Sequence, residues 1–249
     1  MWLTGLNLMR LWAQWAPGAG EVWTAGGVTL AFALLARWLR GVARSGALAG
    51  AVICFLLYVC AGPGAFAALA SVFALAWITT RLGYVRKQRL GTAERREGRT
   101  ARQVLANLGV AAACGVAYAA SGRTILLLTL AAALSEAAAD TVSSEVGQAV
   151  IDKARLITTW QEVPAGTDGG ISMAGSLAGV AAAVAVSVVC VLTHLLPWRW
   201  LALSAAAAVV GMVADSFLGA SLQRRGWLNN DAVNFLSTLV AAAVALPLA

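Results

Sequence analysis

Long apolar runs separated by short polar or basic stretches make up most of the chain. Eight of them approach or reach the about 20 residues that a helix needs to cross a hydrocarbon layer roughly 30 Å thick. The expected spans are residues 21–39, 46–62, 64–83, 103–121, 124–141, 173–196, 198–219 and 232–248. Ahead of them, Trp2, Leu6, Met9 and Trp12 recur at helical spacing, so residues 1–16 are expected to form an interfacial amphipathic helix. That segment lacks a basic n-region and a following small-residue cleavage site, which excludes a signal peptide. The predicted fold class is all-α: a polytopic transmembrane bundle of about eight helices, one integral membrane domain over residues 1–249.

Composition agrees with the pattern. Hydrophobic residues make up 60% of the chain and the mean hydropathy is +0.78, more than a water-facing surface permits. Alternating the eight spans from an outer amino terminus puts fifteen of the eighteen basic residues on the inner side, leaving only Arg10, Arg123 and Arg199 outside. The positive-inside rule selects that orientation, and the net charge of +7 then calls for no nucleic-acid partner. The expected location is a bacterial inner membrane with the functional face toward the cytoplasm. Most acids fall on the same inner face, which a surface for anionic lipid would not need but a site holding a metal and phosphates would.

Two short similarities run along the chain. GALAG at 46–50 matches GSLAG at 175–179, as two four-helix repeats would produce. Asp140 and Asp215, in ADT and ADS, are each followed eight residues later by glutamine, Gln148 and Gln223. The cysteines, Cys54, Cys60, Cys114 and Cys190, stand singly inside apolar segments and read as packing residues. His194 is the sole histidine and lies toward the outer side, against a histidine-based metal site or triad.

Candidate chemistry concentrates in four places. From Glu136, steps of four, seven and eight put Asp140, Ser143 and Ser144 on one helix face, with Glu145 off that face and directed into an inner loop over 142–172. Ionisable groups at membrane depth cost on the order of 2.5–3.5 kcal/mol each, so they usually face a polar interior and mark function. GTDGG at 166–170 supplies glycines that let a backbone approach a ligand and amides that favour phosphate; an ordinary turn ahead of a Ser172 cap is the alternative. Gly211, Asp215 and Gly219 form a small-residue stripe with a carboxylate at its centre, while Gly175 and Gly179 suit close helix packing. Asn229, Asn230 and Asp231 open the last span as caps or ligands, with Asn234 inside it and Asn107 placed similarly in the fourth. The basic stretch 84–102 reads as a solvated loop or as phosphate-neutralising charge, with Arg99 and Arg102 the candidates for the latter. No GxxxxGK[ST] occurs, so a Walker-type cradle is excluded.

The blocks ADTVSSEVGQA, LITTWQEVPAGTDGGISMAGSLAG, GMVADSFLGASLQ and WLNNDAVNFLST resemble, in order and spacing, the integral membrane family that includes chloroplast phytyl-phosphate kinase. VIDKARL at 150–156 diverges from that pattern. The resemblance implies transfer of a phosphoryl group from CTP, with magnesium, onto a prenyl monophosphate lipid within the membrane. It also implies functional roles for Asn107, Asp140, Ser144, Glu145, Thr167, Asp168, Gly169, Asp215, Asn230, Asp231 and Asn234. On this reading Asp140 and Asp215 hold the metal, Glu145 joins them in catalysis, and the Gly166, Thr167, Asp168, Gly169 and Gly170 amides hold nucleotide phosphates. A transporter of ions or organic phosphates is the alternative, and it would require polar linings on both sides of the bilayer.

Overall fold

The computed structural model describes residues 18–246, so the expected amphipathic segment over 1–16 and the last residues of the eighth span lie outside the described residues. The chain is mostly helical. Its order is α1 (Ala19–Trp38), α2 (Arg44–Arg81), α3 (Tyr84–Leu90), α4 (Ala101–Ser121), α5 (Ile125–Val150), a small sheet of β1 (Lys153–Leu156), β2 (Glu162–Pro164) and β3 (Gly170–Ile171), then α6 (Met173–Leu192), α7 (Leu201–Leu218) and α8 (Asn230–Ala245). Among the described residues six helices are long and apolar enough to cross a membrane, and α8, at 16 residues, is a shorter apolar helix.

The 38 residues of α2 would reach about 57 Å as one rod, nearly twice the hydrocarbon thickness. The helix instead breaks at Gly62, whose φ of 82° is open to glycine, and Pro63 restarts it where a missing N–H costs nothing. Both ends of α2 return to one loop: the Trp77 indole donates to the Leu39 carbonyl at 3.1 Å, while Ala43, just ahead of Arg44, donates to the Arg99 carbonyl at 2.9 Å. α2 is therefore a hairpin of two antiparallel halves, corresponding to the second and third expected spans.

α5 is the hub. Buried residues make up 78% of its most apolar window against 17% for α1, and its alanines let six other helices approach closely. Ser135 on α5, Ser187 on α6 and Ser204 on α7 share hydrogen bonds of 3.1 and 3.0 Å, joining three helices where no water competes. Gly179 presses on Met212 and the Ala139 carbonyl, and Gly175 on the Ser143 carbonyl; a Cβ at either would come within 2.6 Å of a neighbouring atom. These two glycines serve packing.

Two features depart from the sequence expectations. α5 continues nine residues past 141 to Val150, because hydropathy reads where the apolar layer ends and a helix can run on into a polar setting. The stretch beyond it forms a sheet in the order β2-β1-β3, both pairings antiparallel, with Ala154 opposite Val163 and Arg155 opposite Ile171. Strands of four, three and two residues are too short for alternation to reveal.

Candidate functional site

The polar end of the bundle is organised around α5 and α7. Asp140, Ser143, Ser144, Gly147 and Gln148 descend one side of α5, and opposite them stand Asp215 and Ser216 of α7 with Gly219 and Gln223 of the turn that follows it. They line a pocket of about 150 Å³ whose remaining wall is Ile151, Ala154 of β1, the 165–172 segment and Asn230 at the start of α8. Both aspartate-to-glutamine pairs of the sequence thus meet in one place. The second pair is brought over by a π-turn at Gly219–Gln223, where i-to-i+5 closure rotates each residue less and returns Gln223 toward the Asp215 face.

The glycine-rich segment is shaped by two left-handed residues, Gly166 (φ 86°) and Gly169 (φ 74°). A Cβ on Gly169 would lie 2.4 Å from the Ala220 backbone nitrogen, so this loop docks directly on the π-turn of α7. Thr167 and Gly170 spend their amides on turn bonds to Pro164 O (3.2 Å) and Thr167 O (2.8 Å); the amides of Gly166, Asp168 and Gly169 are not spent in this way. Ser172 then caps α6, accepting from the Gly175 amide at 3.0 Å. Partial burial raises the Asp168 carboxyl above its ordinary range, and nearby Arg224 opposes the rise.

Among the described residues two acids in the interior are short of partners. Asp215 Oδ2 and both carboxylate oxygens of the fully buried Glu136 make no hydrogen bond. Glu136 sits against Gly211 of α7, deeper than the pocket lining. Among the described residues no cluster of three or more His, Cys, Asp or Glu side chains could hold a metal unaided. Magnesium does not require one, because it keeps several waters and takes substrate phosphates beside one or two carboxylates. The unsatisfied Asp215 oxygen facing Asp140 fits a cation.

Other sequence candidates stand elsewhere. Glu145 points away from the pocket: its Oε2 takes a 2.5 Å bond from the ammonium of Lys87, and its Oε1 accepts from Thr80 at 3.1 Å. Lys87 is completely buried, and its other donors reach the Thr79 and Thr80 carbonyls at 3.0 and 2.8 Å. Sequence reading passed over Lys87 because it lies in an arginine-rich stretch that looks solvated. Asn229 caps α8, its Oδ1 accepting from the Ala232 amide at 2.9 Å. Asp231 pairs with Arg102 at 3.3 Å, outside the pocket, and the Asn234 carbonyl accepts from Ser237 at 3.0 Å.

A second, larger cavity of about 410 Å³ opens beside the first, bounded by α1, both halves of α2, α4 and the 94–99 loop. Asn107 lines it, with its amide donating to Gln103 O at 2.9 Å. Arg99 links the two cavities: it lines the larger one, while its Nη2 donates at 3.2 Å to Thr141, next in sequence to Asp140.

These features define a polytopic helical membrane protein with a carboxylate- and glycine-lined pocket at one end of its bundle. Residues 27–242 match the family described as integral membrane protein DUF92, and the chain belongs to that family. It is 34% identical over 200 residues to the uncharacterized membrane protein sll0875 of Synechocystis, covering 78% of each chain. It is 31% identical over 218 residues to the chloroplast protein VTE6 of Arabidopsis thaliana, 84% of this chain and 65% of that one. The uncharacterized membrane protein MJ0933 of Methanocaldococcus jannaschii is 31% identical over 214 residues, 85% and 87% of the two chains. No solved structure matches significantly.

Proposed function

We propose that the protein is a polyprenyl-phosphate kinase that moves the terminal phosphoryl group of CTP onto a prenyl monophosphate such as phytyl, geranylgeranyl or farnesyl phosphate. The observation that carries the proposal is the facing pair Asp140 and Asp215, roofed by the glycine loop and flanked by Arg99. The resemblance to the family that includes phytyl-phosphate kinase supplies the donor and the acceptor class.

Magnesium, when bound, would neutralise the triphosphate and polarise its terminal group. Asp140 and Asp215 are the residues to hold it. The pocket is smaller than the 300–1,000 Å³ usual for a whole ligand, which suits the phosphates and metal and leaves the nucleoside outside. Free amides of Gly166, Asp168 and Gly169 would receive phosphate oxygens, as backbone donors in glycine loops do. An acceptor phosphate oxygen attacks the terminal phosphorus and the bridging bond breaks, releasing the nucleoside diphosphate. A monoester with a second pKa of about 6 is already deprotonated at neutral pH, so the attack needs no general base. Positioning and charge neutralisation remain as the protein's work, as phosphoryl transfer generally requires.

The test is purified protein with magnesium, each nucleoside triphosphate in turn and a panel of prenyl phosphates, read by mass spectrometry. Diphosphate should form, fastest with CTP; no product from any donor would end the proposal. The basic bias supports a cytoplasmic orientation for this face. Cysteines introduced by Arg95→Cys and Asp168→Cys should resist an impermeant reagent in intact cells, and ready labelling of both would reverse the orientation.

A further inference from the structure

The larger cavity combines two surfaces that seldom occur together. Its interior is apolar, walled by Phe32 of α1, Leu69, Val72 and Phe73 of α2, Leu108 of α4 and Ala137 of α5, with Phe32 and Phe73 packed edge to face at 5.3 Å between centroids. Its mouth carries five arginines, Arg40, Arg81, Arg95, Arg96 and Arg99, against one acid, Glu94. Glu94 is already occupied, accepting from the Gln103 side chain at 3.2 Å and the Arg95 amide at 3.0 Å.

The arginines are not equivalent. Arg81 is committed to the Leu39 and Trp77 carbonyls and stacks 4.0 Å over the Trp77 ring. Among the described residues Arg40, Arg95, Arg96 and Arg99 join no ion pair. The mouth is also built to stay together. Gly98, at φ 84°, lies so close to Gly41 that a Cβ would fall 2.4 Å from its carbonyl carbon. The Arg99 amide donates to Gly41 O at 3.1 Å, which fastens the loop carrying Arg95, Arg96 and Arg99 beside Arg40. Arg40 itself has a left-handed backbone (φ 54°), a conformation that non-glycine residues adopt only when the surrounding structure imposes it.

A collar of unpaired guanidinium groups over an apolar slot matches an amphiphile with a phosphate at one end and a long hydrocarbon at the other. At about 410 Å³ the cavity falls within the range of true ligand sites. From Arg81 to Leu69 it follows α2 for twelve residues, about 18 Å of helix. We infer that this cavity seats the acceptor lipid of the proposed kinase, its phosphate on Arg40, Arg95, Arg96 and Arg99 and its isoprenoid tail between α1, α2 and α4. The inference deepens the kinase reading and rests on it for the acceptor role. It assigns a specificity-determining position, Gly50, which lines the slot about 9 Å along α2 from Arg44. A Cβ there meets nothing within 4 Å, so a larger side chain at this position would project into the slot rather than into protein.

The experiment uses the full chain purified in detergent and native mass spectrometry of bound lipid. Its probes are geranylgeranyl phosphate, geranyl phosphate, geranylgeraniol, phosphatidylglycerol and inorganic phosphate. The wild type should retain geranylgeranyl phosphate over the alcohol, the phospholipid and free phosphate. Gly50→Phe should weaken geranylgeranyl phosphate by about tenfold or more, since each methylene kept out of an apolar site costs roughly fourfold in affinity. It should weaken the shorter geranyl phosphate less, a length dependence that a general folding defect would not produce, while Gly50→Ala should bind as the wild type does. Arg95→Gln with Arg96→Gln should weaken both phosphates alike and leave the alcohol unchanged. Unchanged binding in Gly50→Phe overturns the inference, as does equal retention of phosphatidylglycerol, which would mark a general anionic-lipid site, or of inorganic phosphate alone. Turnover separates this inference from the kinase reading. Length-dependent binding of geranylgeranyl phosphate without transfer from any nucleotide supports the lipid-phosphate site while the kinase reading falls. Diphosphate formation by Gly50→Phe with a wild-type KM removes the site and leaves the kinase.

Discussion

The two cavities differ in sign and in wall. The smaller has three aspartates and no basic residue in its lining, and its glycines bring backbone amides close. The larger has five arginines around an apolar interior. Neither alone suits the transfer of a phosphoryl group to a lipid. An acidic pocket attracts a metal and repels a bare phosphate, whereas an arginine collar attracts phosphate and offers a metal nothing. On the proposed reading, with Arg99 between them, they would let two anionic substrates approach, one neutralised by a metal on the aspartates and the other by the arginines. The division would also account, on that reading, for the apolar slot, whose occupant would come from the bilayer and the other from water.

The largest expected effect concerns the buried ion pair of Lys87 and Glu145, with Thr80, which lines the larger cavity, bonded to both. Lys87→Met leaves a carboxylate without its partner and should cost about 3–5 kcal/mol of stability, lowering the unfolding midpoint in detergent and impairing both cavities together. Lys87→Met with Glu145→Gln should recover much of that loss. If the double variant were stable yet inactive, Glu145 would have a role beyond the pair.

Next come the carboxylates of the smaller pocket. Asp140→Asn and Asp215→Asn keep the side-chain shape and remove the charge, so each should reduce turnover by about 100-fold or more while geranylgeranyl phosphate still binds. Near-normal turnover of either variant at limiting magnesium would remove that residue from the metal site.

Gly169→Ala should have a smaller effect. It imposes a Cβ on a left-handed backbone in contact with Ala220, a strain of about 1–3 kcal/mol that should loosen the glycine loop. Nucleotide binding should weaken and lipid binding should not, as read by calorimetry with each substrate separately.

The smallest effect is expected at the edge of the sheet, where Lys153 and Glu162 face one another in solvent. The lysine's hydrogen bond and charge hold the Glu162 carboxyl below its usual range. Any stability from the pair is therefore present above the unfolded carboxylate pKa of about 4.3 and lost as pH falls through the lowered folded value. Glu162→Gln should leave turnover and thermal midpoint unchanged at pH 7, since exposed pairs contribute little. A loss of activity would place the sheet nearer the chemistry.

Much of this was legible in the chain itself, for reasons that differ by residue. The hairpin break at residues 62–64 showed as a gap between two apolar runs. Asp140 and Ser144 could be placed on one face because they are one helical turn apart, and polar residues are rare in such a segment. Their meeting with Asp168, Asp215 and Asn230 depended on helix packing, which periodicity does not encode. The extension of α5 to Val150 escaped hydropathy, and with it the true direction of Glu145. Lys87 carried no signal, because a buried lysine and a solvated one look the same inside YVRKQRL. The arginine collar was unreadable for a related reason. Arg40 and Arg95 are 55 positions apart, and only the contact of Gly41 with Gly98 brings them to one mouth.

The central claim is that the acceptor is already a phosphate when it meets the acidic pocket. The most direct test offers the purified protein geranylgeraniol and geranylgeranyl phosphate together, with CTP and magnesium, and follows both products by mass spectrometry. The expected result is geranylgeranyl diphosphate formed from the monophosphate, with the alcohol left untouched. Formation of geranylgeranyl phosphate from the alcohol at a comparable rate would contradict it.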